Sequence, residues 1–167
     1  HGYHFAILSE HNKFIDPKTV KLKGETRNDF LLLPGEEVTG SKTIHSTAMK
    51  VNRLVPWNFN HASRSKIIQK HVDETIKAGG STILNHPNFG WALRAADMLP
   101  VQKLHLFELY NGHPSVHNFG DYRHPSTEEL WDDLLTKGMT IYGVSSDDAH
   151  HFTQWNAGKS NPGRGWV

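Results

Sequence analysis

The chain has 167 residues, enough for one domain with its own core and too few for two. With 37% hydrophobic residues, a mean hydropathy of -0.56 and no run of eighteen apolar residues, it reads as soluble, with no membrane-spanning helix. A formal charge of +1 argues against a nucleic-acid surface built on bulk charge, and zero cysteines exclude disulfides and thiolate metal sites while leaving the compartment undetermined.

Short apolar runs bounded by polar residues, Pro and Gly predict buried strands at His4–Leu8 (HFAIL) and Phe30–Leu33 (FLLL), with a less regular strand at Ile44–Val51. Ser63–Ala78 predicts a helix that presents Ile67, Ile68, Val72 and Ile76 on one face and stops at Gly79-Gly80. Ser81–Leu84 is a strand, Trp91–Met98 a short helix, and Leu104–Leu109 another strand. Ser126-Thr-Glu-Glu129 is a capping box that opens a helix carrying Leu130, Trp131, Leu134 and Leu135 and ending at Gly138; Met139–Val144 is the last clear strand. Phe14–Asp29 and Asn111–Pro125 read as loops. The alternation predicts a mainly parallel α/β sheet or barrel. The chain opens HGYHF without Met and closes on Gly165-Trp-Val, which reads as a strand barely begun, so a single domain over 1–167, cut at both ends, is expected.

Polar residues concentrate in one kind of place. The strands are followed by SEHN (Ser9–Asn12), PGEE (Pro34–Glu37), NHPN (Asn85–Asn88), NGH (Asn111–His113) and SSDDAHH (Ser145–His151). In parallel α/β folds the carboxyl ends of strands share one face, where active sites are built. Among 13 histidines, those clusters combine imidazole with carboxylate, a donor set suited to Zn²⁺, Mn²⁺ or Fe²⁺. Asp148 and His150, two apart, project to the same side of an extended segment. Glu36 and Glu37 are adjacent, as are Asp147 and Asp148, so alternation admits one of each pair. His11, His45 and His86 are candidate ligands; Glu108, inside an apolar strand, is a ligand or salt-bridged. His113 and Arg123 are placed to meet an anionic substrate, whereas His61, His71, His105, His117 and His124 read as surface or packing residues.

Taken together, GYHFAILSEHN, LLLPGEEVTG with a later His45, AGGSTILNHPN, FELYNG and MTIYGVSSDDAH resemble the PHP (polymerase and histidinol phosphatase) family of metal-dependent phosphoesterases, in order along nearly the whole chain. The wording is nearest the branch that includes carbamate hydrolases. The resemblance implies a distorted (β/α)7 barrel and two or three divalent ions (Mn, Zn or Fe) held by His11, Glu37, His45, His86, Asp148 and His150. It also implies catalytic roles for Asp148 and His150. Two departures stand out: Glu10 replaces the family's Asp and is expected behind the ligands, orienting His11, or as a further ligand, and the opening His-x-His motif is missing. His1 and His4 have the wrong spacing, so the barrel is expected to lack its first strand and its C-terminal part. The expected function is hydrolysis of a small-molecule phosphate ester by a metal-bridging hydroxide, with Asn111, His113 and Arg123 on the substrate and nucleic acid relevant only as a nucleotide substrate. The alternatives are hydrolysis of non-phosphate esters, amides or carbamates, and a non-catalytic metal-binding module.

Overall fold

A computed structural model of the chain describes residues 2–21 and 30–165. These contain strands β1 (Phe5–Leu8), β2 (Leu31–Thr39), β3 (His45–Met49), β4 (Ser81–Leu84), β5 (Leu106–Asn111) and β6 (Tyr142–Ser146). Three α-helices accompany them: α1 (Arg64–Lys77), α2 (Ala95–Met98) and α3 (Thr127–Thr136). The strands hydrogen-bond in chain order into one six-stranded sheet. β1–β2, β4–β5 and β5–β6 are parallel, whereas β3 runs antiparallel to both its neighbours. Only five residues separate β2 from β3, too few for the crossover that a parallel pair needs, so the chain turns back on itself.

The sheet is curled. In a flat sheet, β1 and β6 at its two edges would lie roughly 24 Å apart, from five spacings of about 4.8 Å. Yet the rings of His11, just past β1, and His150, just past β6, have centroids 6.1 Å apart. The Tyr3 hydroxyl, ahead of β1, donates to the Asp147 carboxylate, beyond β6. The result is an open part of a barrel, mixed α/β in class, consistent with the partial barrel expected; the described residues supply six strands, of which β3 runs against its neighbours.

The helices cover the outer face. α1 packs on β3 and β4, α3 on β5, and α2 touches both helices. Between them lies the core of Ile44, Ile67, Ile68, Val72, Leu84, Met98, Phe107, Leu130 and Leu134, each large side chain contributing about 1.5–3 kcal/mol by leaving water. Ser63 caps α1, its hydroxyl accepting from Lys66 N–H, and the Ser126–Glu129 capping box opens α3 as predicted.

Several boundaries differ from expectation. β2 runs through Pro34–Glu37 instead of ending before them: its first half pairs with β1 and its second half with β3. Pro34, which lacks an N–H, sits where the strand changes partner. The predicted helix Trp91–Met98 is a 3-10 turn at Phe89–Trp91 followed by α2. β5 and β6 begin and end two or three residues later than their apolar runs predict. On α1 the buried stripe continues through His71 and Thr75, and Ile76 is exposed. The loop predicted over Phe14–Asp29 holds a 3-10 turn at Pro17–Thr19, and its part from 22 to 29 lies outside the described residues, as do His1, Trp166 and Val167.

Candidate metal centre

The curl brings the ends of all six strands to one small cavity of about 120 Å³, lined by His11, Glu37, His45, His86, Phe89, His113, Val116, Asp148 and His150. His45 stands at the start of β3, but because β3 is antiparallel that start lies where its neighbours finish. After β1 the chain continues alongside β2: Glu37 N–H donates to Glu10 O at 3.0 Å, Asn12 N–H to Glu37 O at 2.9 Å, and Thr39 N–H to Asn12 Oδ1 at 2.8 Å. This pairing sets His11 beside Glu37.

Glu37 is the centre of the arrangement, 5% exposed. Its carboxylate lies 3.4 Å from His11 Nδ1, 3.1 Å from His45 Nδ1 and 3.5 Å from His86 Nε2. Alternation along β2 sends the neighbouring Glu36 to the opposite face, where it accepts from Val55 N–H at 2.7 Å. Of the pair, Glu37 thus faces the imidazoles and Glu36 faces away. The second acidic pair divides likewise. Asp148 lines the cavity, with His150 Nδ1 3.6 Å from its Oδ1, whereas Asp147 turns away to accept from Tyr3 O–H and from Arg164 and Gly165 N–H, both at 2.7 Å.

Whether these groups suit a cation can be judged from their unmet bonds. Glu37 Oε1 and His45 Nδ1 are both buried and 3.1 Å apart, yet among the described residues neither makes an aligned hydrogen bond, and the buried His86 Nδ1 has no hydrogen-bond partner there either. Buried polar atoms are costly to leave so. Ligand atoms of His11, Glu37 and His45 all fall within 4.8 Å of one another. An ion held at 2.0–2.2 Å by imidazole and carboxylate needs its ligands roughly 3.3 Å apart, so small side-chain movements let these three converge on one cation. The donor set fits a divalent transition metal.

The local electrostatics agree. Burial pushes the Glu37 carboxyl upward, but the imidazoles of His45, His86 and His11 outweigh it and hold the group well below the usual carboxylate range. Burial pulls His86 down, yet Glu37, Glu108 and Asp148 raise it overall. His113 is lowered, chiefly by burial.

Four expectations need correction. Glu10 is exposed, and its carboxylate lies 3.3 Å from its neighbour's backbone N–H at His11, away from the cavity lining. Among the described residues, Glu108 is neither in the lining nor salt-bridged; its Oε2 accepts from His86 N–H at 2.7 Å and from Asn111 Nδ2 at 2.8 Å, and burial raises its carboxyl. Asn111 is buried behind the cavity instead of facing substrate. Arg123 lies over the exposed Tyr122 ring, 4.7 Å from its centroid, and does not reach the lining. His113 does line the cavity. Of the histidines read as surface or packing, His71 is fully buried with Nδ1 3.1 Å from Ser46 Oγ, and His117 and His124 stack on the two sides of Trp91. Phe89 and Val116, which sequence reasoning missed, form an apolar wall; only the adjacency of Phe89 to NHPN signalled it.

No family model matches the chain. No curated protein matches it either. Among solved structures, the chain is similar to a two-domain protein from Bacteroides vulgatus containing a predicted PHP-like metal-dependent phosphoesterase. The likeness covers 87% of this chain at 17% identity with a TM-score of 0.52, and spans 43% of that protein's length. At that identity the two share a fold.

Proposed function

We propose that the chain is a metal-dependent hydrolase of the PHP type, most naturally a phosphoesterase acting on a small-molecule phosphate ester. The observation that carries this reading is Glu37: a buried carboxylate ringed by His11, His45 and His86, with Asp148 and His150 on the same cavity. Divalent ions bound there would supply Lewis acidity and an activated water. His11, Glu37 and His45 would hold one ion, and His86, Asp148 and His150 complete the donor set for a second. At about 120 Å³ the cavity accepts a phosphoryl-sized group and little more, so the rest of a substrate would rest on the rim beside His113. The fold shared with a predicted PHP-like phosphoesterase supports the same reading.

One observation favours a second substrate class. Among the described residues, no Lys or Arg lines the cavity, and Phe89 and Val116 face it. Charge on a phosphoryl group would then be met by the ions alone, while a carbamate or carboxylic ester asks for less. The test is a Mn²⁺- or Zn²⁺-loaded preparation assayed on p-nitrophenyl phosphate, bis-p-nitrophenyl phosphate and a p-nitrophenyl carbamate. Turnover of a phosphate ester that chelator abolishes and Asp148→Asn lowers by about 100-fold is expected. Turnover of the carbamate alone would move the reading to the second class, and metal-free protein that takes up no ion would overturn both.

A further inference from the structure

Glu108 and Asn111 do not line the cavity, yet both are buried, at 4% and 1% exposure, and both are polar. They reach the same side of β5 through a bulge. Glu108 pairs with Val144 and Tyr110 with Ser145, leaving Leu109 as an extra residue, so positions three apart share a face. Gly143 on β6 makes room for it: a Cβ there would lie 2.9 Å from the Leu109 Cβ.

From that face a chain of hydrogen bonds reaches three different loops. Glu108 Oε2 accepts from His86 N–H at 2.7 Å and from Asn111 Nδ2 at 2.8 Å. The same Nδ2 lies 3.3 Å from Asp148 Oδ2, to which it donates its second proton, and Asn111 Oδ1 accepts from His113 N–H at 2.8 Å. Asn118 pins Asn111 from behind, accepting from its N–H at 3.0 Å and donating to its carbonyl at 2.8 Å. Two donors face two carboxylates and one oxygen faces an N–H, so the amide is satisfied in this orientation and in no other. The residues reached are themselves constrained: His86 and Asp148 sit at φ of 21° and 47°, in the region that L side chains rarely adopt.

We infer that Glu108 and Asn111 are positioning residues that hold the backbone of His86, the carboxylate of Asp148 and the loop carrying His113 in mutual register, and thereby set how tightly the Asp148 side of the cavity binds a divalent cation. The inference rests on the metal-centre reading above. Hydrogen bonds behind metal ligands typically govern affinity by 10–100-fold, so the effect is measurable without any substrate.

The experiment is calorimetric titration of metal-free protein with Mn²⁺, for wild type, Asn111→Ala, Glu108→Ala and Glu108→Gln. Leu134→Ala, a core truncation remote from the cavity lining, serves as a control for lost stability. Both brace variants to Ala are expected to bind Mn²⁺ about 10–100-fold more weakly. Glu108→Gln should stay close to wild type, because its carbonyl oxygen can accept both hydrogen bonds, and Leu134→Ala should melt earlier with affinity unchanged. Wild-type affinity in the two Ala variants, or a Gln variant as weak as Ala, would overturn the brace. Wild type that binds no Mn²⁺ would overturn the metal-centre reading instead. In that case the crystal structure of metal-free Asn111→Ala decides the brace: Asp148 and His113 displaced support it, and both unmoved overturn it.

Discussion

At the scale of single residues, the division of labour within each acidic pair makes the sharpest predictions. Asp148 lines the cavity, whereas Asp147 ties the segment after β6 to Tyr3, Arg164 and Gly165. Asp147→Ala is therefore expected to cost about 2 kcal/mol in denaturant unfolding, the worth of hydrogen bonds to a charged acceptor, and to leave bound metal unchanged. Asp148→Asn should do the reverse, lowering bound metal with little loss of stability. The opposite pattern in elemental analysis and unfolding would mean the two carboxylates were exchanged. Histidines separate in the same way: His86→Ala and His150→Ala should lower metal content, and His71→Ala, on the far side of β3, should not. Much of this site was legible in the residue order, since imidazole and carboxylate gather after successive strands. What order alone left open was which of two adjacent carboxylates turns inward, because alternation has a period but no absolute phase until the sheet has an inside.

At the scale of elements, the switch of β2 from β1 to β3 is where the fold builds the centre. Gly35 sits at that switch, and a Cβ there would lie 2.6 Å from Ile7 Cγ2, 2.9 Å from Leu8 O and 3.2 Å from Ala48 O. Two of these neighbours are backbone and cannot rotate away. Gly35→Ala should destabilise by about 1–3 kcal/mol, as overpacking does, and by pushing β2 from β1 should also separate His11 from Glu37 and weaken metal binding. Calorimetry beside a melting curve checks both. Wild-type metal affinity in a destabilised Gly35→Ala protein would show that the pairing of β1 with β2 does not set the His11–Glu37 distance. The sequence pattern hid this element because PGEE, with its Pro and Gly, reads as a turn; the strand continues since Pro34 falls where one partner leaves and the next begins.

At the scale of the whole molecule, His71 couples stability to pH. It is fully buried between α1 and β3 and packed against Gly40, and burial lowers its ring to about 4, with a smaller push from His45. Since the unfolded ring titrates near 6.5, the His71 ring is neutral in both states above that pH and takes nothing from stability there. Between 6.5 and 4 the unfolded chain takes up a proton that the folded chain refuses. His71 alone then removes roughly 3 kcal/mol as pH falls through that window. Urea unfolding of metal-free protein at pH 7 and pH 4.5 should show a smaller loss in His71→Gln than in wild type; equal losses would mean the ring is charged in the fold.

What the sequence determined by itself was the local chemistry: strand and helix order, the caps at Ser63 and Ser126, and the kinds of donor after each strand, because these depend on near neighbours and on hydrophobic period. The tertiary structure decided the rest. Curling of the sheet brought His11 and His150 from opposite edges to 6.1 Å, and the antiparallel course of β3 put the start of that strand, and His45, at the shared end. The Leu109 bulge turned Glu108 and Asn111 from a candidate ligand and a candidate substrate contact into a brace. Each of these depends on contacts between residues far apart in the chain, and a pattern read over ten or twenty positions carries no record of them.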